Sequence, residues 1–215
     1  KLTAGAKLTD AERYWRWAGF YDENHLYDLF APGFIDSSVQ QKYKATKDLL
    51  LSGFDTGQIQ SMDQILRTDM KMVLGGDMLT KVDSMSMANS LEVRVPFLDY
   101  RVVDFAFKMP DHFKITSNNR KVILKDTFKN ELPAEIFNRG KKGFEVPLLK
   151  WFKTDLKSLI VDDLLAEKLI QEQQIFNYNY IQNLIKKLFS SNPGDTVAKV
   201  WALIVFQTWY KKYYL

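Results

Sequence analysis

Charged residues interrupt an apolar run near the middle of the chain, in the segment LEVRVPFLD at residues 91–99. Glu92, Arg94 and Asp99 are set among valine, phenylalanine and leucine, so the sequence predicts that they are partly buried. A charge that leaves water must be paired, and a guanidinium pairs well with a carboxylate through two parallel hydrogen bonds. We therefore expect Arg94 to pair with Glu92, with Asp99 or with a carboxylate outside this chain. A structural role is favoured over direct contact with a ligand.

A second charged segment, NRGKKGFEVP at residues 138–147, places two lysines between glycines. Lys141 follows Gly140, and Gly143 comes two residues later. A compact ammonium on a flexible stem in such a loop is suited to approach a phosphate closely. By composition alone, the simpler interpretation is favoured, namely that Lys141 and its neighbour Lys142 are solvated loop charges.

Helices must position both segments, because helical signals dominate the sequence. Thr9 and Glu12 form a capping-box pattern, which predicts that a helix begins there. Asp36 is placed to cap a second long helix that reaches about residue 51. The last helix is predicted to begin after the segment at residues 192–196 and to run to about residue 213.

The region leading into residues 91–99 is predicted to hold two helices separated by glycines. Apolar residues recur at helical spacing over residues 59–74. Gly75 and Gly76 then predict the end of that helix, and Asp77 is placed to cap the next one through Met87. A strand-like alternation appears only briefly, near residues 92–95. The predicted fold class is all-α, in one compact body over residues 1–215.

Composition narrows the classes of function. The chain is 46% hydrophobic and 14% aromatic, which suffices for a buried core. It has no cysteine, so a disulfide framework and a thiolate metal site are excluded, and a reducing compartment is expected. The net charge of +4 is spread over the sequence, unlike the concentrated basic face of a nucleic-acid binder. Apolar stretches fall short of the roughly 20 residues that cross a bilayer.

Taken in series, these segments resemble the C-terminal half of the synthetase domain of glutamine-dependent, glutamine-hydrolysing asparagine synthetases. That family carries an Asp and Ser-Met-Ala, then Glu-x-Arg-x-Pro-Phe-Leu-Asp, then Lys-x-x-Leu-Lys/Arg, then Arg-x-Lys-x-x-Phe. The matching residues in this chain are Asp83, Ser86, Met87 and Ala88; Glu92, Arg94, Pro96, Phe97, Leu98 and Asp99; Lys121, Leu124 and Lys125; and Arg139, Lys141 and Phe144. Order and spacing agree over residues 65–152.

The resemblance implies an ATP-dependent ligase. Its reaction activates aspartate as β-aspartyl-AMP and transfers ammonia from glutamine to give asparagine. The family fold is an α/β adenine-nucleotide-binding domain of the PP-loop type, whose parallel sheet would lie upstream of this helical C-terminal portion. ATP and Mg²⁺ would be the cofactors of the full-length enzyme. Neither is expected on this chain alone, and no metal ligand is expected within it.

The resemblance also assigns roles to residues. Lys141 falls on the motif lysine that lies near the phosphates, so it is the expected catalytic residue, and with the motif present this role is favoured over the solvated-loop interpretation. Residues expected to bind substrate or to support those that do are Glu92, Arg94, Asp99, Arg139, Asp83 and Lys121. An ordinary helix-surface role remains an alternative for Lys121.

Three parts of the family pattern are missing from the sequence. These are the Ser-Gly-Gly-x-Asp-Ser nucleotide loop, the acidic Ser-Gly-Glu-Gly-Ser-Asp-Glu segment and an N-terminal cysteine for glutamine hydrolysis. We therefore expect a fragment, truncated at its N-terminus and inactive alone. Its expected partners are the upstream ATP-binding sheet and glutaminase domain of the same polypeptide, with aspartate, ATP and glutamine as substrates. A cytoplasmic location is expected, and a homo-oligomer is compatible with the sequence.

Two other interpretations stay open. The first is a related adenylating synthetase that forms an amide or lactam from another carboxylate. The second is a free-standing helical interaction module, which would account for the missing catalytic loops without truncation. A fragment should leave apolar surfaces without partners, whereas a module should be monomeric and stable.

Overall fold

The computed structural model describes residues 5, 7–19, 21, 23–54, 59–140, 143 and 146–215. Over these residues the chain is helical and contains no β-strand. Two isolated bridges join Phe30 to Phe176 and Ile115 to Arg120. The all-α prediction is confirmed. None of the helices in these ranges has both the length and the hydropathy that crossing a membrane requires.

The α-helices are α1 (Asp10–Ala18), α2 (Glu23–Leu26), α3 (Ser37–Leu50), α4 (Met62–Asp69), α5 (Thr80–Ala88), α6 (Tyr100–Lys108), α7 (Asp111–Lys114), α8 (Val122–Phe128), α9 (Ala134–Asn138), α10 (Leu148–Lys153), α11 (Glu167–Gln173), α12 (Tyr178–Phe189) and α13 (Thr196–Tyr214). Short 3₁₀ turns cover Tyr27–Leu29 and Pro96–Leu98. Two segments, Met70–Leu79 and Leu159–Leu164, have π-helical hydrogen bonding.

Contacts divide the chain into two compact units, one made of residues 1–49 and 145–215 and the other of residues 50–144. The sequence led us to expect one body over residues 1–215. Whether the two units form such a body stays a prediction.

The first unit has a well-packed helical core. Its fully buried side chains include the hydrophobic residues Phe152, Ile160, Ile170, Ile181, Leu188 and Val200. The predicted caps are confirmed: Thr9 and Glu12 form both halves of a capping box, and the Asp36 carboxylate accepts a hydrogen bond of 2.9 Å from the Val39 amide. Helix α13 also begins where the sequence placed it.

The second unit is built on one long helix, and here a prediction is wrong. Helix α4, the π-helical segment Met70–Leu79 and α5 follow one another without a break, so the helix does not end at Gly75 and Gly76. Neither glycine adopts the positive φ that terminates a helix. The Thr80 hydroxyl donates a 3.0 Å hydrogen bond to the Gly75 carbonyl, which is a backbone acceptor within the π-helical segment.

Gly53 lies in the turn that follows α3. A Cβ atom at this position would lie 3.0 Å from the Thr68 hydroxyl, and Thr68 is buried at 1% exposure. Glycine therefore suits the close approach between the turn and α4. The buried residues of this unit, within the described part of the chain, are Leu51, Phe54 and Thr68.

Candidate functional site

A short connection between α5 and α6 carries the charged motif Glu92–Asp99. Ser90 ends α5 with a left-handed φ of 56°. The chain then has no regular secondary structure until the turn at Pro96–Leu98, where the Leu98 amide donates a 2.8 Å hydrogen bond to the Val95 carbonyl. The strand-like pattern at residues 92–95 therefore forms no strand among the described residues.

Glu92 and Arg94 form an ion pair on the surface of this connection. The contact joins Nη2 of Arg94 to Oε1 of Glu92. Of the two partners expected for Arg94 within this chain, it is therefore Glu92 that pairs with it. The predicted partial burial is wrong for these two side chains, because Arg94 is 87% and Glu92 67% exposed. It is confirmed for Asp99, whose side chain is 33% exposed. Val93 and Val95 are exposed as well, so these apolar neighbours do not shield the two charged side chains from water. An exposed pair of this kind contributes at most about 1 kcal/mol to stability.

Asp99 caps α6 and pairs with Arg101, a residue that the sequence analysis missed. Its Oδ1 accepts hydrogen bonds of 2.9 Å from both the backbone amide and Nε of Arg101, and its Oδ2 accepts one of 2.8 Å from Nη2. These hydrogen bonds lower the pKa of the Asp99 carboxyl, the side-chain bonds from Arg101 having the larger effect. The available signal was an aspartate at a helix start with an arginine two residues later.

An apolar cavity of about 390 Å³ lies behind the motif. Phe97 and Leu98 form one wall, Val73 and Leu74 of the π-helical segment form another, and Phe107 of α6 contributes a third. Its lining is almost wholly apolar, so the cavity suits a hydrophobic side chain better than a phosphate group.

Two cationic side chains make contacts between the helices around this cavity. The Arg67 guanidinium lies 4.3 Å from the ring centre of Phe107. Lys114 of α7 donates to the Asp63 carboxylate of α4 at 2.5 Å, and its side chain is only 12% exposed. Because both contacts join elements that are distant in sequence, they fix α6 and α7 against α4.

The remaining predicted site residues are not part of the Glu92–Arg94 ion pair. Asp83 is exposed on α5, Lys121 precedes α8 with a φ of 58°, and Arg139 is exposed directly after α9. Within the described ranges, none of these three side chains makes a hydrogen bond or an ion pair with another residue. Lys141, the predicted catalytic residue, lies outside the described residues, as does the motif residue Phe144.

No cluster of metal ligands was found in the described part of the chain, where three or more His, Cys, Asp or Glu side chains would have to converge. The two histidines have local contacts. His25 lies 3.2 Å from the Asp28 carboxylate, and the rings of His112 and Phe113 are 4.3 Å apart.

Comparison with known proteins gives consistent matches. The family model described as "Asparagine synthase" matches residues 3–211. An asparagine synthetase (glutamine-hydrolyzing) 1 of Bacillus subtilis is 31% identical over 159 residues, which cover 73% of this chain and 24% of the relative. A putative asparagine synthetase (glutamine-hydrolyzing) of Mycobacterium tuberculosis is 30% identical over 207 residues, covering 94% of this chain and 30% of that protein.

The similarity extends to vertebrates over a shorter region. The asparagine synthetase (glutamine-hydrolyzing) of Gallus gallus is 36% identical over 97 residues, or 41% of this chain and 17% of the relative. The chain thus spans less than a third of the length of the two bacterial relatives, covering 24% and 30% of them. No solved structure matches it significantly.

Proposed function

The chain belongs to the asparagine synthase family, and we propose from this that it forms part of an ATP-dependent synthetase that converts aspartate into asparagine. The observation that carries the proposal is the family match over residues 3–211. It is supported by the motif residues in the connection between α5 and α6, which occur in the family order and spacing.

In the proposed reaction, an oxygen of the aspartate β-carboxylate attacks the α-phosphorus of ATP. The bond to the leaving pyrophosphate breaks, which gives β-aspartyl-AMP. Ammonia released from glutamine then attacks the acyl carbon, AMP leaves, and the nitrogen loses a proton to give asparagine. Negative charge builds up on the phosphates in the first step, so fixed cationic groups at that end of the site would stabilise its transition state.

We assign the phosphate end of this site to Lys141, by its position in the Arg-x-Lys-x-x-Phe motif. Arg94 and Arg139 are exposed, which leaves both guanidinium groups able to contact a carboxylate or a phosphate from outside the described residues. The Glu92–Arg94 pair is surface-exposed and costs little to rearrange. We therefore propose that Arg94 exchanges or shares this partner when the complete site forms.

The rest of the site would come from other parts of the polypeptide. No cluster of three or more metal-ligating side chains was found among the described residues, and the cavity behind the motif is apolar. The second unit also exposes large apolar side chains, including Met85 at 60%, Phe97 at 67% and Phe105 at 62%. Exposed apolar surface of this extent is typical of an interaction face. We propose that an ATP-binding sheet and a glutaminase domain of the same polypeptide are its partners.

The experiment that tests the proposal uses the full-length polypeptide with ATP, Mg²⁺, glutamine and a panel of carboxylates. We expect asparagine, AMP and pyrophosphate in equal amounts when aspartate is supplied. The 215-residue chain alone, assayed with ammonia in place of glutamine, should give no product. Adenylation of another carboxylate in preference to aspartate would overturn the proposal in favour of the related amide- or lactam-forming class.

A further inference from the structure

A polar groove of about 500 Å³ lies in the first unit, between α3 and the segment that α2 and the following 3₁₀ turn form. Residues at helical spacing on α3 line one side, and Glu23 and Tyr27 line the other. Every described side chain that lines the groove carries a charge, an amide or a hydroxyl group. Charged residues are depleted from the centre of protein–protein interfaces, so this groove suits a small polar solute better than a segment of protein.

A hydrogen-bonded network fixes the inner side of the groove. The Trp15 indole N–H donates to the Tyr43 hydroxyl at 3.1 Å, and that hydroxyl donates to Oε1 of Glu23 at 2.9 Å. Lys47, whose side chain is 16% exposed, donates to Oε2 of the same carboxylate at 2.6 Å. Burial raises the pKa of Tyr43 to about 12, so its hydroxyl keeps the proton that it donates. The Glu23 carboxylate is therefore already paired.

Two opposite charges on the α3 side of the groove have no partner among the described residues. Lys44 and Asp48 both line the groove and are exposed. They lie four residues apart, about 6 Å along the helix axis, yet within the described part of the chain neither forms an ion pair or a side-chain hydrogen bond. A lysine that precedes its acid is the less favourable order for such a pair. The groove therefore presents an ammonium and a carboxylate that are both available to a ligand.

We propose that this groove binds a free α-amino acid in its zwitterionic form. The ammonium group of the ligand pairs with the Asp48 carboxylate, and the ligand carboxylate pairs with the Lys44 ammonium. The ring of Tyr27 offers a further favourable contact to the ligand ammonium. The side-chain amides of Gln40 and Gln41 also line the groove and make no hydrogen bond within the described residues. They are suited to hydrogen-bond a polar side chain of the ligand.

The charges of the groove favour a zwitterion over a ligand with a single charge. Lys47 and Tyr43 occupy the Glu23 carboxylate, so Lys44 and Asp48 are the charged groups left for the ligand in the described lining. An α-amino acid carries both charges on one carbon and uses both side chains, whereas a simple anion or cation uses one. The inference is independent of the proposed function, because the groove lies in the first unit and the Glu92–Asp99 motif in the second.

NMR titration of the 215-residue chain with free glutamine tests the site, because the glutamine side chain is uncharged and the two remaining charges are those of the zwitterion. We expect saturable shifts of the Trp15 indole N–H, which donates to Tyr43 at the inner side of the groove. The backbone amides of Lys44 and Asp48 should shift as well. Exposed charge pairs contribute little each, so we expect a dissociation constant of about 1–10 mM.

Two derivatives of glutamine each remove one charge of the ligand. N-acetylglutamine lacks the ammonium group and glutaminamide lacks the carboxylate, so each should bind at least about fivefold more weakly than glutamine. Asp48→Asn should weaken glutamine binding by a similar factor but should not weaken N-acetylglutamine binding further, because that ligand lacks the group that Asp48 pairs with. Lys44→Met should likewise weaken the binding of glutamine and not that of glutaminamide.

Lys42→Met is the matched control, because it changes the net charge as Lys44→Met does and Lys42 is exposed on α3 without lining the groove. It should leave glutamine binding unchanged. No saturable binding at tens of millimolar glutamine would overturn the proposal, as would equal affinities for glutamine and both derivatives. Equal losses in Lys44→Met and Lys42→Met would show a general effect of charge and overturn it as well.

Discussion

Gln207 is a fully buried polar residue on α13, and replacing it by leucine should measurably destabilise the first unit. It exchanges two hydrogen bonds with Gln173 of α11. The Gln173 amide donates to Oε1 of Gln207 at 2.6 Å, and the Gln207 amide donates back to Oε1 of Gln173 at 2.9 Å. Gln207→Leu removes both bonds with little change in volume and leaves the Gln173 amide against an apolar side chain.

The loss of stability depends on whether the Gln173 amide finds another hydrogen-bond partner. A net hydrogen bond contributes about 0.5–1.5 kcal/mol, and a buried polar group left without a partner costs about 1–3 kcal/mol. Gln173 is half-buried, so it recovers part of this loss by turning toward water. We expect Gln207→Leu to lower the free energy of unfolding by about 2–3 kcal/mol. In a chain of this length that corresponds to a Tm lower by roughly 4–12 °C.

Urea denaturation of the wild-type chain and three variants measures this directly. The double variant Gln173→Leu/Gln207→Leu should recover most of the lost stability, because neither amide is then left unpaired. Gln182→Leu is the control: it removes a single 2.8 Å hydrogen bond to the Tyr178 hydroxyl at a half-buried position and should cost less than about 1 kcal/mol. A Gln207→Leu chain as stable as wild type, or a double variant no better than the single one, would refute the reasoning.

Two further predictions concern helix structure and pH. Gly76→Ala should stabilise the chain by up to about 1 kcal/mol in thermal denaturation, because a Cβ at Gly76 meets no atom within 4 Å and the helix continues through it. Destabilisation would indicate that the helix ends there after all. Hydrogen bonds from the backbone and then the hydroxyl of Thr9 lower the pKa of Glu12 below its usual 4.5. This carboxylate therefore stabilises the fold above about pH 4.5 and loses that effect as pH falls through its lowered pKa, so Glu12→Gln should be less stable than wild type at pH 7 and equal to it in strong acid. A difference between the two chains that does not change with pH would contradict this assignment.

Local sequence patterns predicted the helix starts well. Thr9 and Asp36 mark helix starts in the structure because capping depends on a few neighbouring residues. Local patterns did not predict that the helix continues through Gly75 and Gly76. Glycine permits helix termination without requiring it, and the contacts of the long helix determine the result.

The environment of the motif charges also escaped prediction. Glu92 and Arg94 were expected to be partly buried because their neighbours are apolar, but burial depends on which surfaces meet those neighbours. Arg101 was missed because its role depends on the N-cap geometry of Asp99. The family, by contrast, could be recognised from residue order and spacing, and the family match over residues 3–211 confirms that recognition.

We propose that Lys141 is the phosphate-binding lysine of an asparagine synthetase site, and a comparison with the adjacent Lys142 tests this most directly. In the full-length polypeptide, Lys141→Ala should abolish aspartate-dependent formation of AMP and asparagine while glutamine hydrolysis continues. Lys142→Ala, one residue away and off the motif, should retain synthesis. Near-normal asparagine production by Lys141→Ala, or equal losses in both variants, would contradict the account.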